Sequence, residues 1–173
     1  MIQYTRRTAM VLAVLSLVAT SLSVTDGKAD PADGRAEGTL TVNGKITKLA
    51  YAYARSVPGF LDPNTKDTQV IVSDVSLDAQ ALADDSVRSD LASQGKLHAF
   101  EITIDATGAP VSTAWRHNGF NGPMPSGLSS ADVFTKKLLD DKFVEGSYKS
   151  ADQEEFFGNT YSFDVTFRAA IAH

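Results

Sequence analysis

Two of the three histidines, His98 and His117, are the side chains best suited to chemistry, and the only tryptophan, Trp115, lies between them in the chain. They belong to two strand-like segments separated by the turn residues Asp105–Gly108. If this turn closes a regular hairpin, counting outward places His98 opposite Trp115, with His117 diagonally beside His98, about 7–8 Å away at the backbone. The spacing therefore predicts that both imidazoles meet the indole at the open end of one hairpin.

This end of the hairpin is a candidate ligand-binding corner formed by His98, Trp115, His117, Asn118 and Phe120. Imidazole is a common metal ligand and titrates near neutral pH, so His98 and His117 are also the candidate metal ligands. A protein metal site needs three or four ligands, and the sequence assures no third one, so neither a metal nor a cofactor is expected. The alternative interpretation is that both rings cap the edge of the core and hydrogen-bond to the backbone.

Other patterns of reactive residues are better explained by solvated surface. Residues 62–67 (DPNTKD) place oxygen ligands at alternate positions, but Lys66 occupies one of them and Ser73 stands where a calcium loop has glutamate. Ser126 lacks the glycine frame of a nucleophile elbow. Adjacent carboxylates point apart on strands and diverge on helices, so the acidic pairs predict no acid–base dyad. These pairs are Asp84-Asp85, Asp140-Asp141 and Glu154-Glu155.

Composition excludes several classes of function. The chain has no cysteine, which excludes thiol catalysis, zinc–thiolate sites and iron–sulfur clusters. It has 16 basic and 21 acidic residues, and removal of Arg6 and Arg7 with a leader leaves a net charge of 14 − 21 = −7. No cluster of lysine and arginine along the sequence offsets this charge, so nucleic-acid binding is not expected.

Residues 1–23 have the pattern of a secretory signal peptide. Arg6 and Arg7 form a basic head, residues 9–22 (AMVLAVLSLVATSL) carry no charge, and the small residues Ser21 and Ser23 end the run. The alternatives are a membrane anchor, although the run is shorter than the ~20 residues of a spanning helix, and a twin-arginine export signal. We expect a secreted or periplasmic protein of a bacterial cell envelope, with no membrane span in its mature form.

Residues 37–173 are expected to form one β-rich domain, preceded by a flexible tether of residues 24–36. The Asn43-Gly44 pair between two alternating segments predicts a type I′ hairpin. In the second of these segments Leu49, Tyr51 and Tyr53 are expected to share one face. The predicted strands are Glu37–Val42, Lys45–Ala54, Thr68–Ser73, Leu97–Asp105, Val111–His117, Lys142–Lys149 and Tyr161–Ile171.

Three segments depart from the strand pattern. Residues 78–94 are apolar at every fourth position, which predicts one helix or two short pieces. Residues 131–139 predict a short helix with Phe134 and Leu138 facing inward, and the glycine- and proline-rich residues 118–129 predict a long loop. The fold class is therefore mainly β: an antiparallel β-sandwich or partly open barrel of about seven strands with one or two short helices.

The preferred functional hypothesis is an exported, non-enzymatic domain that binds a small ligand or a partner protein through the 118–129 loop and the adjacent end of the sheet. A long loop inside a compact domain is usually functional or disordered. The rival is a hydrolase or metal-dependent enzyme that uses His98 or His117 as a base beside an acidic residue brought in by folding. A third hypothesis is a structural or self-associating domain, because edge strands can pair with other chains.

Expression of the full chain in a bacterium tests the predicted export. Because a cleaved signal peptide directs translocation, we expect a mature form beginning near residue 24, found in the periplasm or the medium. Cell fractionation and intact-mass measurement check this expectation. A protein that keeps residues 1–23 and stays in the cytosol would contradict it.

Overall fold

The computed structural model describes residues 34–128 and 130–173, and this part of the chain contains nine strands and two short helices. The predicted signal peptide and residues 24–33 of the predicted tether lie outside the described residues. In chain order the elements are β1 (Gly34–Val42), β2 (Lys45–Pro58), β3 (Lys66–Ser73), α1 (Ala79–Ala83), α2 (Asp85–Ser93), β4 (Ala99–Ile104), β5 (Pro110–Arg116), β6 (Val133–Leu139), β7 (Phe143–Lys149), β8 (Glu154–Phe156) and β9 (Asn159–Ala172).

The strands form one sheet that curls into a half-barrel. Their spatial order is β5–β4–β3–β2–β1–β9–β7–β6, all antiparallel, and β8 pairs with the start of β9. A short parallel pairing of Ala54 with Ile171 joins β2 to the end of β9. Beside the two edge strands, Lys136 Nζ of β6 donates a hydrogen bond of 2.8 Å to the carbonyl oxygen of Thr107 before β5. The predicted antiparallel, partly open barrel with short helices is thus confirmed.

Apolar side chains form two clusters, one on each face of the sheet. The inner cluster fills the concave side and includes alternate residues of β9: Tyr161, Phe163, Val165, Phe167 and Ala169. The outer cluster lies between the sheet and the two helices and contains Tyr53, Ile71, Leu77, Ala81, Leu97 and Ala99. The sheet therefore buries both faces along β2, β3 and β4, where the helices cover it.

Strand β2 changes face partway along its length. The prediction that Leu49, Tyr51 and Tyr53 share one face is wrong, because Leu49 lies in the inner cluster and Tyr53 in the outer one. The register between β1 and β2 shifts at a bulge between Arg35 and Gly38, which breaks the two-residue alternation at this point.

The predicted helix at residues 131–139 is also wrong, since Val133–Leu139 forms strand β6 and pairs with β7. A bulge between Lys136 and Leu138 moves the inward position by one residue. Phe134 and Leu139 therefore both pack against the inner cluster, with a spacing unlike that of a regular strand. A bulge of this kind gives an edge strand an irregular pattern that alternation does not detect.

Residues 78–94 form two short helices, as the second of the two alternatives predicted. Asp84 ends α1 and begins α2, and its side chain accepts a hydrogen bond of 2.8 Å from the Ser86 backbone N–H. Among the described residues, neither helix has the length and hydropathy needed to cross a bilayer. The structure differs from the prediction in two further respects. Strand β1 begins at Gly34, so residues 34–36 do not belong to the predicted tether, and β8 has no counterpart among the predicted strands.

Helix α2 is attached to the outer face of the sheet by a buried ion pair. Arg88 is 0% exposed, and its Nε and Nη2 donate hydrogen bonds of 2.8 and 3.2 Å to the two carboxylate oxygens of Glu101 on β4. Its Nη1 donates to the Ala81 and Leu82 carbonyl oxygens at the end of α1, at 2.7 and 3.2 Å. One guanidinium therefore connects both helices to the sheet.

Glu101→Gln should destabilise the protein strongly, because it leaves the buried Arg88 without its bidentate counter-charge. We expect the free energy of unfolding, measured by urea denaturation, to fall by about 3–5 kcal/mol. Lys137→Gln, which removes an exposed ion pair with Glu145, is the control and should have little effect. Equal losses in the two variants would contradict this role for Arg88.

Candidate functional site

The hairpin formed by β4 and β5 has a register different from the predicted one. Trp115 pairs with Phe100 rather than with His98, because the loop closes between Asp105 and Ala109 and a bulge follows Thr103. The prediction that His98 lies opposite Trp115 is therefore wrong. The same shift brings His98 and His117 together, with ring centroids 4.3 Å apart and planes tilted by 45°.

Trp115 is a core residue and is 2% exposed. Its ring lies 4.8 Å from that of Phe163 and 5.3 Å from that of Phe100. Phe120 is also buried, with its ring edge-on to His117 and to Tyr161, at 6.2 and 5.8 Å. Of the five residues predicted to form the corner, these two fill the inner core.

His98 forms a close pair with Asp74, which follows β3. Its Nδ1 lies 2.6 Å from Asp74 Oδ2, and its backbone N–H donates to Asp74 Oδ1 at 2.8 Å. A carboxylate at this position orients an imidazole and retains a proton on Nδ1. The opposite nitrogen, Nε2, lies 3.1 Å from Oδ1 of the exposed Asn118. The pair resembles an oriented base, and only its Asn118 side faces outward.

His117 is buried and neutral. Its Nδ1 accepts a hydrogen bond of 2.8 Å from the Gly119 N–H, so its proton lies on Nε2, which is 3.3 Å from Thr47 Oγ1. Burial, followed by the electrostatic influence of His98 and of Lys45, lowers the pKa of His117 to about 4. Because Nε2 carries the proton, His117 cannot act as a base toward Thr47.

The ring nitrogens of both histidines already have partners in the protein. The Asp74 carboxylate is hydrogen-bonded to Nδ1 of His98, and the Gly119 N–H is hydrogen-bonded to Nδ1 of His117. Among the residues that the structure describes, no group of three or more histidine, aspartate or glutamate side chains is placed to hold a metal ion. In the 62–67 turn, Asp62 and Asp67 accept hydrogen bonds from backbone N–H groups of the same loop.

The first part of the 118–129 loop is anchored to a buried asparagine. Asn159 is 0% exposed; its Oδ1 accepts from the Asn121 N–H at 2.8 Å and from Asn43 Nδ2 at 2.9 Å. Asn43 Nδ2 also donates to the Gly119 carbonyl oxygen at 2.8 Å. Asn43 and Gly44 both have positive φ, 49° and 77°, as the predicted Asn-Gly turn requires.

The second part of the loop covers the edge of β5. Trp115 N–H donates to the Pro125 carbonyl oxygen at 3.3 Å, and Gly127 N–H donates to that of Thr113 at 3.0 Å. Ser126 forms an isolated bridge with Ala114. Covering an edge strand prevents it from pairing with other chains. This part of the loop has a structural role, whereas Asn118 and Asn121 remain exposed.

A pair of carboxyl groups, Asp132 and Glu154, lies beside two core tyrosines. Tyr148 OH donates to Asp132 Oδ2 at 2.9 Å, and Tyr161 OH donates to Glu154 Oε2 at 2.8 Å. The other two oxygens, Asp132 Oδ1 and Glu154 Oε1, are buried without another partner. Burial, followed by the proximity of the Glu154 carboxyl group, raises the pKa of Asp132 to about 6.

The sequence did not predict this carboxyl pair. The interpretation of Glu154 as solvated surface is wrong, because its Oε2 accepts from Tyr161 OH and its Oε1 is buried. The pKa values of Tyr148 and Tyr161 are raised, first by burial, so both hydroxyls remain protonated donors. The arrangement holds residue 132 and β8 against the inner core.

Comparisons of the chain with protein-family models, with curated proteins and with solved structures found no match. The geometry of the chain's own residues therefore carries the functional proposal.

His117→Gln should flatten the dependence of stability on pH between 6.5 and 4. The unfolded chain binds a proton at this histidine below pH 6.5, whereas the native chain does so only near pH 4. Acidification through this window therefore favours unfolding of the wild type by about 2–3 kcal/mol more than of the variant. Urea denaturation at several pH values measures the difference.

His173→Gln, at an exposed histidine, is the matched control and should follow the wild type. Asp132 acts in the opposite direction, because its raised pKa makes its contribution to stability fall as pH rises to about 6. That contribution is common to all three proteins and cancels in the comparison. Identical slopes for His117→Gln and wild type would contradict a buried, neutral His117.

Proposed function

We propose that this protein is an exported, non-enzymatic binding domain of a bacterial envelope or of the extracellular medium. It recognises a partner through the loop of residues 118–129 and the adjacent sheet end. The observation that carries the proposal is the anchoring of this loop by the buried Asn159, which holds exposed amides in fixed positions. Pre-organisation of this kind lowers the entropy lost on binding.

The exposed residues around Asn159 have the composition of a recognition surface. We define the barrel-end surface as Asn43, Asn118, Asn121 and Phe157. Phe157 is 75% exposed, and its carbonyl oxygen accepts from Asn159 Nδ2 at 3.3 Å. Large aromatic side chains contribute much of the energy at interfaces, and amides add directional hydrogen bonds. Because Trp115, His117 and Phe120 fill the corner beneath, the geometry favours a partner protein over a small ligand buried there.

A hydrolase remains the second candidate, and the Asp74–His98 pair is the observation that favours it. An imidazole oriented by a carboxylate is the usual form of a general base. The hydrolase hypothesis ranks below the binding hypothesis because Nε2 of His98 faces the Asn118 amide. Among the described residues, no hydroxyl group is hydrogen-bonded to this nitrogen. A hydrolase substrate screen with wild type and His98→Ala separates the two functions: His98-dependent turnover supports the enzyme.

Phe157→Asp should strongly weaken partner binding, because it replaces the exposed aromatic anchor by a charge. The mature protein is immobilised, exposed to envelope extract and spent medium of the source bacterium, and bound proteins are quantified by mass spectrometry. We expect at least tenfold less of a specific partner on Phe157→Asp than on wild type.

Phe60→Asp is the matched control. Phe60 is also exposed, at 61%, but it follows the far end of β2, away from the Asn43 turn. The partner should bind this variant as it binds wild type, and both variants should keep the wild-type circular dichroism spectrum. Loss of the partner with Phe60→Asp alone, or with neither variant, would overturn the assignment to the barrel-end surface.

A further inference from the structure

We infer that the convex face of the half-barrel carries a binding site for a small monocarboxylate with an apolar tail. A cleft of about 420 Å³ lies between α1 and the outer face of β2, β3 and β9. We call it the Arg55 cleft; its apolar walls include Tyr53, Ile71 and Leu82, and its polar residues are Arg55 and Gln69. Clefts of this size, mostly apolar with a few polar groups, are typical of small-ligand sites.

The cleft exists because alanines face one another across it. Ala79 and Ala83 line it from α1, and Ala170 and Ala172 line it from the end of β9. Methyl side chains are too short to fill the space between a helix and a sheet. The walls consequently leave an apolar volume on the surface of the described chain.

The walls cannot easily collapse, because α1 is fixed at both ends. Before its start, the Leu77 N–H donates to Tyr53 OH at 2.9 Å. At its end, Arg88 Nη1 donates to the Ala81 carbonyl oxygen at 2.7 Å, and Arg55 Nη1 donates to that of Ala83 at 3.1 Å. These contacts hold the helix at a set distance from the sheet, so the cleft is a built feature of the fold.

The charge in the cleft defines the ligand class. Arg55 has no carboxylate within ion-pair distance among the described residues; its Nε donates to Gln69 Oε1 at 2.7 Å. Gln69 in turn donates through Nε2 to Glu101 at 2.9 Å, which keeps its carbonyl oxygen directed at Arg55. The guanidinium is thus half-buried and held in place by neutral acceptors, and its Nη2 has no hydrogen-bond partner among the described residues. The charged Nη2 amino group can donate to a carboxylate.

An acid with an apolar tail satisfies both parts of the cleft. Its carboxylate would accept from Arg55, and its tail would cover Tyr53, Ile71 and Leu82. A neutral apolar compound would leave the charge of Arg55 without a counter-charge, and a polymer would exceed the volume of the cleft. This inference is independent of the proposed function, because the cleft lies on the outer face of the sheet and the barrel-end surface lies at one end of it.

Calorimetric titration of the mature protein with 4-phenylbutyrate and with its neutral amide, 4-phenylbutanamide, tests the inference. We expect the acid to bind at least tenfold more tightly than the amide, because only the acid brings a negative charge to pair with the Arg55 guanidinium. Arg55→Met should lower the affinity for the acid to that for the amide. The comparison of acid and amide on the unchanged protein does not depend on how any variant folds.

Ala170→Phe and Ser162→Phe form a matched pair for locating the site. Both residues lie on the outer face of β9, but only Ala170 lines the cleft. A phenyl ring at 170 should abolish binding of the acid, and one at 162 should leave it unchanged. Equal binding of acid and amide, full binding by Arg55→Met or by Ala170→Phe, or no binding at all would overturn the inference.

Discussion

The half-barrel depends on a cluster of aromatic rings that meet across its concave side. Phe163 of β9 lies 4.8 Å from Trp115 of β5, 4.8 Å from Tyr148 of β7 and 5.8 Å from Phe100 of β4. Since β4 and β5 are several strands away from β9 in the sheet, these contacts require the sheet to curl. Aromatic packing contributes large buried areas and fixed geometry, so the cluster sets the curvature that positions every other feature.

The curvature places polar groups at distinct sites around the apolar core. At one end, Asn159 holds the 118–129 loop against the β1–β2 turn, and the two histidines lie beneath it. On the convex side, the Arg88–Glu101 pair attaches the helices. Each of these groups has a polar partner, as the low dielectric of a protein interior demands. The exposed Asn121 and the half-buried Arg55 lie next to these groups and are therefore held in defined positions.

Much of the fold could be predicted from local pattern, and the failures have physical causes. The inward row of β9 and the Asn43-Gly44 turn follow from alternation and from the need for positive φ, which depend only on neighbouring residues. The bulges after Arg35, Lys136 and Thr103 break the alternation of inward and outward side chains. The predictions of the faces of β2, of the identity of β6 and of the register between β4 and β5 were therefore wrong. A bulge depends on the partner strand, which a single sequence does not reveal.

The sequence by itself determined that the chain forms a cysteine-free, curled antiparallel sheet, and it singled out His98 and His117 as neighbours. These properties come from hydrophobic periodicity and turn residues, which act over a few positions. Only the tertiary structure decided that Asp132 lies beside Glu154, that Asp74 orients His98, and that Arg55 lines an apolar cleft. Such pairings join residues far apart in the chain, because the order and curvature of the strands, rather than any local pattern, bring them into contact.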